Sequence, residues 1–308
     1  MSEILTICEV GLRDGLQNEA ARLTAAEKSG LAAGLARAGL RAFELGSFVN
    51  PQAVPAMADS DAVFALTLPR QPEARWIALV LNERGYDRAV AAGARAIGLT
   101  VIASATWSER NSRRSPAAAL ALAGRLAAQA RAEGLWVRAY VSAAWHCPFE
   151  GPTPPARALA LADALWSAGV DELVLADSIG HAQPLEVGRL VEDVGRRTDM
   201  ARLAVHLHDT QALGLANACA ALAAGIRTLD ASLGGLGGCP FAPGAAGNLA
   251  TEDLVFLAHR LGYETGVDLA ALWAGVRQAE ALVGRRLGGR TRAWWDEAGQ
   301  SLAAEAAN

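Results

Sequence analysis

Short apolar runs alternate with amphipathic, Ala/Leu-rich segments along the whole chain. The apolar runs predict strands at Leu5–Val10, Ala42–Leu45, Trp76–Leu81, Ile97–Ile102, Leu135–Val141, Glu172–Ala176, Leu203–Leu207 and Ile226–Ala231. Helices are predicted between them, several with distinct starts: Thr24 with Glu27, Ser115 before Pro116, and Thr153 before Pro154. Ala168-Gly169 and Ala224-Gly225 read as helix ends. Eight strands alternating with helices predict a (β/α)8 TIM barrel, a fold whose size suits 308 residues as one domain. The alternative is an open doubly wound sheet, but no strand leads into a G-x-G-x-x-G turn. Two further helical stretches, Thr251–Leu261 and Leu269–Val283, precede Trp294-Trp295. The predicted organisation is one catalytic domain over 1–308, with a barrel at about 4–262 and extra C-terminal helices at about 263–300.

Composition narrows the chemistry. Lys28 is the only lysine, and it sits one turn into a capped helix, where it is expected to be solvated. Schiff-base catalysis needs a desolvated lysine in the site, so a metal is the expected electrophile for any carbon-bond chemistry. The net charge of −4 gives no sign of nucleic-acid binding. No apolar stretch reaches membrane-spanning length. The four cysteines, Cys8, Cys147, Cys219 and Cys239, form no C-x-x-C pair, which points to a reducing compartment. A strand begins almost at the amino terminus, so no signal or transit peptide is expected and a cytoplasmic location is.

Candidate catalytic groups collect at the predicted carboxyl ends of the strands, where a barrel places its chemistry. His206-x-His208 ends the seventh strand, and residues two apart on a strand project from one face. That arrangement suits two ligands of one metal ion. A bare His-x-His is equally compatible with two buried imidazoles satisfied by carbonyls; what raises the metal reading is the rest of the rim. Arg13, Asp14 and Gln17 follow the first strand, Glu44 ends the second, Tyr140 and Ser142 the fifth, and Asp177 the sixth. Beyond the eighth lie Gly234-Gly-Leu-Gly-Gly-Cys239-Pro240 and Asn248. Each has a plain structural use, as a turn, an ion pair or a cap. A barrel does not need so many ionisable groups at one end merely to fold.

Gly11-Leu-Arg13-Asp14-Gly-Leu-Gln-Asn-Glu19, Ser47-Phe-Val-Asn-Pro51, Val80-Leu-Asn82, Cys147-Pro-Phe-Glu-Gly151, His206-Leu-His208-Asp-Thr210, Gly234-Gly-Leu-Gly-Gly-Cys-Pro240 and Gly247-Asn-Leu-Ala-Thr-Glu-Asp-Leu254 strongly resemble the 3-hydroxy-3-methylglutaryl-CoA lyase family. The likeness runs in order from about Ile7 to Val267. It implies metal-dependent retro-Claisen cleavage of an acyl-CoA to acetoacetate and acetyl-CoA. The implied ligands are Asp14, His206, His208 and Asn248, around Mg²⁺ or Mn²⁺. Arg13 would stabilise the thioester oxyanion, Glu44 and Asp177 would orient Arg13 and the metal shell, and Asp14 or His206 would serve as base. Gln17, Tyr140 and Ser142 would contact substrate, and Cys239 on the glycine loop would protonate the enolate. Cys8, Cys147 and Cys219 are expected in the core or the walls. A homo-oligomer, dimer or tetramer, is also implied.

Several positions depart from the family pattern. Leu12 replaces proline, Ala20 replaces lysine, Gln52-Ala53 replaces Lys-Trp, and Ser178 replaces threonine. None removes an implied ligand. Ala53 leaves room for a bulkier 3-substituent, so the alternatives are a lyase for another 3-hydroxy-3-alkylglutaryl-CoA or a condensing synthase of the same superfamily. A barrel metallohydrolase is the alternative from a different class; it would carry its H-x-H after the first strand rather than the seventh.

Overall fold

The computed structural model describes residues 3–238 and 247–299. Eight parallel strands close into a barrel: β1 (Thr6–Glu9), β2 (Ala42–Ser47), β3 (Arg75–Leu79), β4 (Ala96–Ile102), β5 (Trp136–Ser142), β6 (Glu172–Asp177), β7 (Leu203–Leu207) and β8 (Thr228–Ala231). Each pairs with its sequence neighbour, and β8 returns to β1 with Thr6 opposite Thr228 and Glu9 opposite Ala231. Closure leaves the barrel itself without a free edge strand. All eight expected strands form. Ala/Leu faces of the intervening helices cover the outside, with Leu31, Leu126, Leu165, Val191 and Leu222 all buried against the sheet. Among the described residues, no helix is long and apolar enough to cross a membrane.

The caps fall mostly where expected. Thr24 Oγ1 accepts from Glu27 N at 3.3 Å while the Glu27 carboxylate accepts from Thr24 N at 2.7 Å, and Ser115 Oγ accepts from Ala118 N at 3.2 Å. Such a cap contributes about 1 kcal/mol. Gly169 and Gly225 end their helices at φ +82° and +109°, where a side chain would be strained. Thr153 is a correction. Its helix begins at Pro155, and its hydroxyl instead donates to Ala143 O at 2.8 Å, tying a short hairpin to the end of β5. Lys28 is a second correction, being buried rather than solvated. It lies on the inner face of its helix, where Nζ donates to Ala56 O at 2.7 Å and pairs with Asp59 at 2.5 Å. The neighbouring segment folds over it and satisfies the ammonium.

Two features position the site. Inside the barrel, the fully buried Arg138 pairs with Glu172 at 2.6 Å and Asp230 at 2.7 Å, and donates to Tyr140 Oη at 2.8 Å. A guanidinium at this depth is tolerated because two carboxylates balance its charge. The second is a strap over residues 284–295. Arg285 pairs with Glu19, Gly288 N donates to Gly234 O at 3.1 Å, and Gly289 N donates to Glu252 Oε1 at 2.7 Å. Arg290 Nε donates to Asp209 at 2.7 Å, and Thr291 N to Asp253 at 2.9 Å. Trp295 anchors the strap by stacking on Trp273, ring centroids 5.7 Å apart.

Candidate active site

After β1 the chain makes one wide helical turn over Gly11–Gly15, closed by Gly15 N donating to Val10 O at 3.2 Å. Wide turns of this kind recur at functional sites. This one carries Arg13 and Asp14 to the barrel mouth. Glu9 fixes the turn: Oε1 accepts from Gly11 N at 2.7 Å and Leu233 N at 2.9 Å, and Oε2 accepts from Thr251 Oγ1 at 2.7 Å. A Cβ at position 11 would lie 2.5 Å from Glu9 Oε1, so the approach requires glycine.

Across the mouth, β7 presents His206, and His208 follows one residue past its end. The two Nε2 atoms are 3.1 Å apart. Ligand atoms of Asp14, His206 and His208 all lie within 4.8 Å of one another, a cluster that could hold a metal ion. Asn248 bridges to His208 through the backbone. Its Nδ2 donates to Asp14 Oδ2 at 2.8 Å and Leu236 O at 3.1 Å, while its Oδ1 is buried without a hydrogen-bond partner. A buried amide oxygen left bare costs free energy, and a cation beside it would recover that cost. The donor set of two imidazoles, a carboxylate and an amide oxygen suits a divalent cation.

Arg13 Nε donates to Glu44 Oε2 at 2.6 Å, and Nη1 pairs with Asp14. Glu44, fully buried, sits where β2 slips register against β3 between Glu44 and Gly46, and the irregularity aims it under Arg13. Burial pushes the Glu44 carboxyl up against the pull of Arg13. Burial opposes ionisation of Asp14 too, but the Arg13 guanidinium above all, with the hydrogen bond from Asn248, holds it well below the usual carboxylate range. Burial, reinforced by His206, lowers His208 to about 3, which keeps its ring neutral and able to bind a metal.

Arg13, Asp14, Gln17, Tyr140, Ser142, His206 and His208 line a cavity of about 570 Å³, shared with Ala53, Asn82 and Arg114. Glu44 acts from behind Arg13. Asp177 is turned elsewhere: Ala176 and Ser178 line the cavity, while the Asp177 carboxylate accepts from His181 N and Ala182 N, both at 3.1 Å. Cys239 lies outside the described residues. Cys8 and Cys147 are buried as expected, but Cys219 is exposed, because it falls on the outer face of the helix Gly214–Ala223. Asp230 and Glu9 are among the buried acids that were not singled out from the sequence. His206 Nδ1 lies 3.1 Å from Asp230 Oδ2. The one signal for Asp230 was a carboxylate inside an apolar strand.

Burial raises Glu9 to about 7, and burial together with Asp253 raises Glu252 to about 7, from ordinary values near 4.5. Folding therefore takes up protons between these values. The stabilisation is full below about pH 4.5 and is lost as pH rises through 7. The urea midpoint should accordingly fall from pH 5.5 to 8, by roughly 1–3 kcal/mol in stability. Glu9→Gln, which imitates the protonated acid and can donate to the Thr251 hydroxyl, should flatten that slope. A midpoint that rises with pH over this window would contradict the assignment.

Residues 4–278 match the HMGL-like family model. The chain belongs to the HMGL-like family. It is 42% identical over 305 residues to hydroxymethylglutaryl-CoA lyase of Pseudomonas mevalonii, with 99% of both chains covered. It is also 42% identical over 294 residues to (R)-citramalyl-CoA lyase of Chloroflexus aurantiacus, covering 92% of this chain and 93% of that one. The crystal structure of Bacillus subtilis HMG-CoA lyase superposes with a TM-score of 0.93 at 36% identity, covering 96% of this chain and 99% of that chain. The barrel expected from the strand pattern is thus the fold of a solved HMGL-like relative.

Proposed function

We propose that this chain is a carbon–carbon lyase that cleaves 3-hydroxy-3-methylglutaryl-CoA to acetoacetate and acetyl-CoA. The observation that carries the reading is the Asp14, His206 and His208 cluster placed beside Arg13 in one cavity. In the reaction the C3 hydroxyl gives up its proton, the C2–C3 bond breaks, C3 becomes the ketone of acetoacetate, and the bonding pair moves to the thioester as an enolate. Protonation of that enolate gives acetyl-CoA. Asp14, His206, His208 and Asn248 would hold Mg²⁺ or Mn²⁺, which supplies Lewis acidity toward the hydroxyl and carboxylate oxygens of the substrate.

Arg13, locked by Glu44 and Asp14, turns its remaining N–H groups to the thioester oxygen, where negative charge develops. Asp14 and His206 are the candidate acceptors for the hydroxyl proton. Gln17, Tyr140 and Ser142 orient the acyl chain, and Cys239 donates to the enolate. Asp177 supports the loop after β6. The wider reading places these groups in one catalytic domain over 1–308, in a homo-oligomer, dimer or tetramer, of the cytoplasm.

A second reading, cleavage of a related 3-hydroxyacyl-CoA with another 3-substituent, is favoured by Ala53 in the cavity wall. A coupled assay of acetyl-CoA release over a panel of HMG-CoA, citramalyl-CoA and longer 3-alkyl homologues separates the two. The highest kcat/KM on HMG-CoA supports the first reading, preference for a bulkier member selects the second, and cleavage of none would sink both.

A further inference from the structure

Both carboxylate oxygens of Asp230 on β8 are engaged. Oδ1 accepts from Arg138 Nη2 at 2.7 Å, and Oδ2 faces His206 Nδ1 at 3.1 Å. The acid is 1% exposed. Arg138 anchors one oxygen and so sets the rotation that aims the other at the imidazole. Its Nε lies 2.6 Å from Glu172, an ion pair without hydrogen-bond geometry, so it is Nη2 that orients Asp230. A carboxylate offers no proton, so His206 Nδ1 is the donor in this contact. A neutral ring with its proton on Nδ1 carries its lone pair on Nε2, the nitrogen facing His208. His208 has no such support, since its Nδ1 is buried without a hydrogen-bond partner.

We propose that Asp230, backed by Arg138, is a positioning residue that fixes His206 in the Nδ1–H form and keeps Nε2 free as a ligand. The inference rests on the metal reading above and adds to it a residue outside the ligand set. A carboxylate behind a ligand histidine sets both ring orientation and tautomer, and its loss costs about 10–100-fold in metal affinity.

Asp230→Asn is the informative substitution. Arg138 can only donate, so it claims the single amide oxygen. The amide NH₂ then faces His206 Nδ1, which must accept, and the ring proton moves to Nε2. The Kd for Mn²⁺, measured by calorimetry without substrate, should rise about 10–100-fold. Nitrogen-15 spectra of the metal-free protein at pH 8 should show His206 switching from the Nδ1–H to the Nε2–H form. Glu172→Gln, which alters the other partner of Arg138, should leave both readouts unchanged. Wild-type Mn²⁺ affinity in Asp230→Asn, or equal weakening by Glu172→Gln, would overturn the proposal. So would a wild-type His206 bearing its proton on Nε2, a result that needs no variant to fold. If the wild-type protein binds no Mn²⁺, the metal reading fails, and the spectra still decide whether Asp230 sets the tautomer.

Discussion

Asp14→Asn should abolish turnover, by three orders of magnitude or more on the order expected for losing a metal ligand and its charge together, while the thermal transition moves by only a few degrees. Asp14 stands at the mouth with its side chain 24% exposed, and Arg13 keeps Glu44 as a partner when the charge is removed. Divalent-cation affinity should fall in parallel. His206→Ala should silence the enzyme as completely, but it also strips Asp230 of its second contact, so Asp14→Asn is the cleaner test. Activity should vanish with EDTA and return with Mg²⁺ or Mn²⁺. Wild-type rates from a preparation shown by elemental analysis to be metal-free would overturn the mechanism.

Arg13→Lys keeps the charge and loses the fork. Nε and Nη2 engage Glu44 while Nη1 pairs with Asp14, so the guanidinium is fixed on two sides and still lines the cavity. A single ammonium cannot meet both carboxylates and also reach a developing oxyanion. The expected loss in kcat is roughly two orders of magnitude or more, with a much smaller change in KM. The opposite outcome, a destabilised protein whose folded fraction keeps full specific activity, would make Arg13 a structural ion-pair partner.

The barrel was legible because its strands, buried on both faces, read as mostly apolar runs and several of its helices carry capping residues. Those signals are local, and each strand run, from Leu203–Leu207 to Ile97–Ile102, stands out without knowledge of its neighbours. His206 and His208 were legible for the same reason, since strand periodicity alone puts them on one face. What escaped was set by partners distant in sequence. Lys28 looked solvated because its helix position says nothing of the segment that folds over it. Thr153 had a cap-like neighbourhood, yet a carbonyl ten residues away took its hydroxyl. Asp177 shares the rim with the candidate ligands, but the local turn at His181 and Ala182 claims its oxygens. Asp230 is the sharpest case, for its two partners come from β5 and β7.

The strap has a consequence for biosynthesis. Arg285, Gly288, Gly289, Arg290 and Thr291 reach back to Glu19, Gly234, Glu252, Asp209 and Asp253, so a segment made after all eight strands holds segments made from the first β/α unit onward. A nascent chain can assemble its early β/α units in order of emergence. The ring closes only once β8 pairs with β1, and the mouth is clamped later still. A nascent chain halted before residue 284 would therefore hold all eight strands with its rim still unfastened.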